Sequence, residues 1–490
     1  MANFIANVPK ITDTPTIEVE GLQPGQHQFQ LEVEDKSGNR SQPVTVIITV
    51  ERLNPEIRGL IPSFGEWEDR IIIQGVNFDP EHQKNIVAFN GIDAIVLGTT
   101  DTELTVLVPK LATTGLVTVK NRFGDTASPI PFIIPRSFVV DVGLQPVDLS
   151  YDAIKGEVWV ASLGSTEENR GIVSIVGLKQ RELLFTIKLK GLPGEIALSP
   201  AAERRLALVT NPGDRTISVI NMGKRRLFKI LTIEANPLGV DISPDGRWGY
   251  VVSPGDTSES KGIVSIIDLS QIKVVGAIRV GLVPTRVIFG RSGLEAFVNN
   301  TGDGTISVIN VDSHKVSDTI KVGQSAAASP QEVAISRKTY PVWTANRGNN
   351  TASIITKDHS VIDIKIDIAP GSVAVFSRGN QAFFVGPKDR AIIMVDMRDG
   401  QPITKVVKMS GFGVNVKGVA TTPDDIGVIV VHPGLNAVSI FDARAMRLQA
   451  LVKVPALPVR CLVTDDNKFV LSICQKGKAL SVIETGSVLP

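Results

Sequence analysis

The chain has 490 residues with 51 Lys plus Arg against 50 Asp plus Glu, a formal charge of +1, so no global charge draws it to nucleic acid or to an anionic membrane. At 43% hydrophobic and 21% charged it is not a disordered chain, and 43 Gly and 29 Pro supply turns for many short strands. No apolar run approaches the about 20 residues of a spanning helix, and the opening MANFIANVPKITDT carries neither a basic nor an apolar leader region, so a cytoplasmic protein with no transmembrane segment is expected, one that can still belong to a particle later released or attached to a membrane.

Residues 1–52 read as a short β module. HQFQLEVED alternates, with Phe29, Leu31 and Val33 on one face and Gln28, Gln30, Glu32 and Glu34 on the other. VTVIITV at 44–50 is a second strand and PTIEVEGL offers a third. Together they resemble half of a fibronectin-III or PKD-like immunoglobulin-type sandwich. Half a sandwich cannot bury its own apolar face. That face therefore either packs on the next module or docks on another subunit, which makes Phe29, Leu31 and Val33 candidate docking residues.

Residues 53–135 follow with NPEIRGLIPSFGEWEDRIIIQGVNF, then VAFNG at 87–91, LTVLVP at 104–109 and GLVTVKNRFG at 115–124. The alternation predicts Ile71, Ile73, Val117 and Val119 as core. This stretch resembles the IPT/TIG family, and the resemblance implies an immunoglobulin-like sandwich acting as a spacer or binding module.

From residue 136 one unit recurs. Its clearest strand has Val or Ile on each side of a central residue, at Ser174, Ser218, Ser265, Ser307, Ser353, Ile393, Ser439 and Ser481, with steps of 44, 47, 42, 46, 40, 46 and 42 residues. That period is one four-stranded propeller blade. Before each marker stand a first strand such as VDLS at 147–150 or VDIS at 240–243 and a second such as ALVTN at 207–211 or AFVNN at 296–300. SPDG at 243–246 supplies a tight turn between them, with Gly246 free to take positive φ. SFVVDVG at 137–143 is an orphan strand, and SVIETGSVLP at 481–490 is a third strand without a fourth, so the two ends should pair and close the ring. The fold class predicted is thus all-β, an eight-bladed β-propeller over 136–490 preceded by the two β modules. ALVTN and DGTISVIN at 303–310 make the propeller resemble the YVTN-type repeat family, a resemblance specific for fold and weak for function.

Residues that carry chemistry are sparse. His27, His82, His314, His359 and His432 are scattered, four of them in or near predicted loops and turns, and read as solvated surface. Neither zinc spacing nor a C-x-x-C-H haem site occurs, so no metal and no cofactor are expected. Cys461 and Cys474 read as free thiols, because pairing of Thr464 with Lys468 or Phe469 puts Cys461 beside 471–472. Asp214, Asp256 and Asp303 follow Gly just before the third strand and read as Asx-type caps rather than a metal ring. Trp159, Trp248 and Trp343 fall on second strands and read as packing residues. KRRLFK at 224–229 reads as a solvated blade edge. Recognition, if any, falls to loops on the face shared by the second-to-third and fourth-to-first connections. SLGSTEENRG at 162–171 and SPGDTSESKG at 253–262 are long and offer Glu167, Asn169, Arg170, Asp256, Glu259 and Lys261.

With no catalytic constellation, the expected function is a non-catalytic structural or recognition subunit of a large assembly, with other protein subunits as partners and several copies per particle. Leaderless fibre-like β modules resemble accessory parts of phage-tail-like contractile injection particles. A cell-surface adhesin or surface-layer protein is the alternative that the YVTN resemblance implies. A lactonase-type propeller enzyme is a third, and it would need acidic or His residues converging on the central channel, where few are expected.

Overall fold

A computed structural model describes residues 11–12, 19, 22, 25–50, 53–165, 170–255, 260–336, 340–389, 391–398, 400–408 and 416–489. The chain falls into two compact units, 1–132 and 133–490.

In the first unit, β1 (Gly25–Leu31) and β2 (Val44–Val50) form an antiparallel hairpin with Phe29 opposite Val46 and Leu31 opposite Val44. Opposed residues share a face, so His27, Phe29, Leu31, Val44, Val46 and Ile48 line one side. That face does not pack on the following strands. Leu31, Val33, Val44 and Val46 are 53–61% exposed and Ile48 is 43% exposed.

The following strands are β3 (Glu56–Ile61), β4 (Arg70–Val76), β5 (Ile86–Phe89), β6 (Ile92–Thr99), β7 (Glu103–Leu107), β8 (Val117–Asn121) and β9 (Gly124–Ala127). Where the sequence suggests two separate sheets, they form one continuous sheet in the order β3-β4-β7-β6-β5-β8-β9. The reason is β6. Its first residues pair with β5, its later ones pair with β7, and a bulge between Val96 and Gly98 turns the strand. The sheet wraps around Ile71, Ile73, Val117 and Val119, all fully buried, and Phe89 meets Phe132 edge-on at 5.1 Å.

The second unit is an eight-bladed propeller of four-stranded antiparallel sheets. Blades 1 to 7 span 146–188, 196–232, 240–282, 284–321, 330–365, 372–408 and 418–453. The eighth combines 458–484 with β10 (Ser137–Asp141), which pairs antiparallel with Ala479–Glu484. The predicted closure is therefore present. It is reinforced by the Arg136 N–H donating to Ser487 Oγ at 2.9 Å.

The core is a series of apolar layers between neighbouring blades rather than one centre. Leu208, Ile217 and Val219 of blade 2 pack on Val240, Ile242 and Val251 of blade 3. At the closure, Val140 and Leu480 pack on Val158 and Val176 of blade 1. Trp159 and Trp343 are fully buried in two of these layers.

The marker serines now have a physical cause. They are buried, and a buried hydroxyl needs a partner. Asn211, Asn300 and Asn346, each ending a second strand, donate to Ser218, Ser307 and Ser353 at 3.0, 2.9 and 2.6 Å. In blade 7 His432 stands where Asn stands in blades 2, 4 and 5 and meets Ser439 Oγ at 2.6 Å through Nε2.

Val140→Asp buries an unpaired charge at the closure and is expected to cost about 3–5 kcal/mol. A denaturant melt of the full chain checks this, read as a lowered midpoint of the propeller transition.

Candidate functional site

The first strand of every blade lines the central channel, and its opening residues stand at the mouth on the face of the fourth-to-first loops. The second-to-third loops share this face, as the hydrogen bonds Gly171 N–H to Gly191 O (3.0 Å) and Gly348 N–H to Ala328 O (2.8 Å) show.

A charged network occupies the mouth. The sequence reading expects few acidic residues there, and the structure brings four carboxylates together: Asp148, Glu195, Asp241 and Glu332. Two arginines balance them. Arg286 lies 3.5 Å from Glu195 and 3.1 Å from Glu332, and Arg460 lies 2.5 Å from Asp148 and 4.0 Å from Glu195. Three of the carboxylates also lace an inner strand to the next. Asp148 accepts the Ile196 N–H at 2.9 Å, Asp241 the Phe289 N–H at 2.8 Å, and Glu332 the Val373 N–H at 3.1 Å. Such charge-assisted bonds to backbone donors hold a ring of strands in register.

Burial sets the protonation. It pushes Asp148 up, with the Arg460 guanidinium pulling against it. It pushes Asp241 up to about 6, against the N–H groups of Phe289 and Ile242. Glu195 and then Glu332 raise Arg286 and keep it cationic. Beside this network the channel opens into a cavity of about 540 Å³ lined by residues of blades 1 and 4 to 8, among them Ser372, Lys417, Gly418 and Arg460. Cys461 lines it too, its thiol pushed by burial up to about 12.

None of the residues singled out by sequence joins this network. Phe29, Leu31 and Val33 belong to the first unit. Arg170 and Lys261 are exposed at the starts of third strands in blades 1 and 3. Glu167, Asn169, Asp256 and Glu259 lie outside the described residues. Asp303 is a cap, accepting the Leu282 N–H at 2.9 Å and the Thr305 hydroxyl at 2.6 Å. Asp256 again lies outside the described residues. Cys461 stands opposite Ser472, and both cysteines are free.

The histidines correct the reading of a solvated set. His432 is buried. His314 packs on Trp248 at 4.4 Å and meets the Tyr250 hydroxyl at 2.8 Å. His359 lies 3.2 Å from Glu295 and 3.3 Å from Asp318. His314 and His359 occupy left-handed positions in third-to-fourth turns, with φ of 51° and 64°, and these turns press on the preceding blade. Arg225 in KRRLFK does the same, pairing with Glu157 at 2.5 Å. The channel residues were missed although one signal existed: a polar residue near the start of each first strand, as in VDLS, VDIS and QEVAIS. Among the described residues no group of three or more His, Cys, Asp or Glu is placed to hold a metal ion, and no helix is long and apolar enough to cross a membrane.

No known family profile matches the chain, and no curated protein matches it. Among solved structures it is similar to hydrazine synthase of Kuenenia stuttgartiensis, with a TM-score of 0.51 and 15% identity over 71% of this chain and 97% of that one. At that identity the likeness concerns the fold alone.

Two titrations oppose each other. Folded Asp241 keeps its proton up to about 6 while the unfolded chain releases it near 3.8, so its share of stability is present at low pH and lost as pH rises through that window. Burial lowers His432 to about 4 from 6.5, so its share is present above 6.5 and lost as pH falls toward 4. Asp241→Asn should therefore steepen the loss of stability between pH 6 and 4, and His432→Asn should reduce it. Urea midpoints at pH 4, 5, 6 and 7 check both.

Proposed function

We propose that this chain is a non-catalytic structural and recognition subunit of a large protein assembly. In this reading the N-terminal β modules dock and the propeller is displayed as an interaction platform. The hairpin is read as part of an immunoglobulin-type module, 53–135 as an IPT/TIG-type spacer and the propeller as YVTN-type. A phage-tail-like contractile injection particle is the assembly this architecture fits.

The observation that carries the reading is the hairpin face. An isolated two-stranded sheet is marginal in water, yet β1 and β2 hold no charged residue over their lengths and expose Leu31, Val44, Val46 and Ile48. A surface of this kind is characteristic of protein contacts. The network at the channel mouth supports the same reading, because its carboxylates are engaged by backbone N–H groups and arginines.

A second reading, a propeller enzyme of lactonase type, draws on the convergence of those carboxylates beside an open cavity. It requires a turnover that Glu332→Gln removes.

The native mass of the untagged protein from its own cells tests the first reading. A megadalton particle from which the double variant Leu31→Asp, Val46→Asp is released, with its propeller melting unchanged, is expected. A wild-type chain that runs as a free monomer overturns it.

A further inference from the structure

The eight first strands align in register at Tyr151, Leu198, Ile242, Phe289, Ile335, Val375, Thr421 and Val463, the last paired residue of each except in blade 1, where Asp152 also pairs. Three positions earlier, the residues around the channel are Asp148, Glu195, Gly239 and Arg286, then Glu332, Ser372, Gly418 and Arg460. In a ring of eight, blades four apart face each other. The order is therefore an acid, a polar residue, a glycine and an arginine, repeated across a pseudo-twofold axis.

The bonds repeat with the residues. Asp148 accepts the N–H of Ile196 and Glu332 that of Val373, at 2.9 and 3.1 Å. Glu195 accepts from Val240 and Ser372 from Val419, both at 3.4 Å. Arg286 pairs with Glu332 as Arg460 pairs with Asp148.

The repeat breaks at one place. Arg286 sits between two carboxylates, Glu195 and Glu332. The counterpart of Glu195 in the second half is Ser372, which carries no charge and whose hydroxyl donates to Glu332 at 2.6 Å. Arg460 has only Asp148 close by, with Glu195 at 4.0 Å.

The gap coincides with the cavity. A Cβ on Gly239 would meet the Thr285 carbonyl oxygen at 2.8 Å, whereas a Cβ on Gly418 would come no closer than 3.8 Å to any neighbour. The first half is closed by backbone and the second is open. Three cations, Arg286, Lys417 and Arg460, and one carboxylate, Glu332, line the opening. Lys417 is exposed, and its ammonium forms no ion pair among the described residues. A cavity of about 540 Å³ is of the size that holds a small molecule.

We propose that this cavity binds a small organic acid, whose carboxylate takes, between Arg460 and Lys417, the place that Glu195 fills in the opposite half. A planar guanidinium favours a carboxylate, which it can grip through two parallel hydrogen bonds.

Titration calorimetry on the full chain with acetate, succinate and citrate, and with inorganic phosphate as control, tests this. Saturable binding of at least one organic acid, tighter than phosphate, is expected. Ser372→Glu supplies the missing carboxylate from within and should weaken binding at least tenfold. Arg460→Gln leaves Asp148 unpaired and can unfold the ring, so Lys417→Met, on the exposed mouth, serves as the second variant, with a several-fold loss expected. No saturable binding by any of the three acids, phosphate binding as tight as theirs, or unchanged affinity in folded Lys417→Met overturns the proposal.

Discussion

Because Ser137–Asp141 pairs with Ala479–Glu484, the eighth sheet is built from both ends of the propeller, and every other sheet is held at a fixed angle to its neighbours. A ring of sheets has no free edge along its circuit, so each blade can bury both faces against the next. That is why the third strands are apolar on both sides of a single serine. Burial on two faces leaves no solvent for that hydroxyl, and an Asn at the end of the second strand is the short amide that reaches it. The Asn–Ser pair is thus a consequence of closure, and the repeat that made the fold readable is the trace it leaves in the sequence.

Closure also dictates the channel. Eight first strands converge on one axis, and their opening backbone N–H groups point toward neighbours that are splayed rather than hydrogen-bonded as in a sheet. A buried donor left unpaired is costly. Carboxylates at Asp148, Asp241 and Glu332 supply acceptors across three of these gaps. Charges so close in a desolvated space need counter-charges, and Arg286 and Arg460 provide them.

The propeller, its count of blades and its closure were legible because each blade repeats local chemistry: a branched strand, a turn and a marker residue that is serine in all but the sixth blade, where it is Ile393. The channel network was not. Its members lie in six different blades, differ in type from Asp and Glu to Arg, and converge only when the ring shuts. The one local trace, a polar residue near the start of a first strand, does not show that these residues meet. The histidines were misread for a related reason. His314 and His359 sit in turns, which look solvated in sequence, but the turns lean on the preceding blade. His432 looks like a loop residue only until it is seen to substitute for the strand-ending Asn. In the first unit the alternation of Ile71, Ile73, Val117 and Val119 gave the core, while the continuity of the sheet depends on a bulge in β6 that alternation does not reveal.

The two units solve the same problem in opposite ways. Within the propeller almost every polar group at the centre is answered by another, and apolar side chains are shared between blades. The hairpin at 25–50 has strands of comparable apolar content but no second layer among the described residues. Its alternation of Gln with Phe29 and Leu31 separates a wet face from a dry one as cleanly as any blade strand, which is the pattern of a sheet with one covered face. A sequence that keeps charges out of both strands while Leu31, Val44 and Val46 stay exposed fits a cover supplied from outside the pair. The Glu195-to-Ser372 difference has the same form inside the channel: a position that the rest of the ring would fill is left open, with cations facing it.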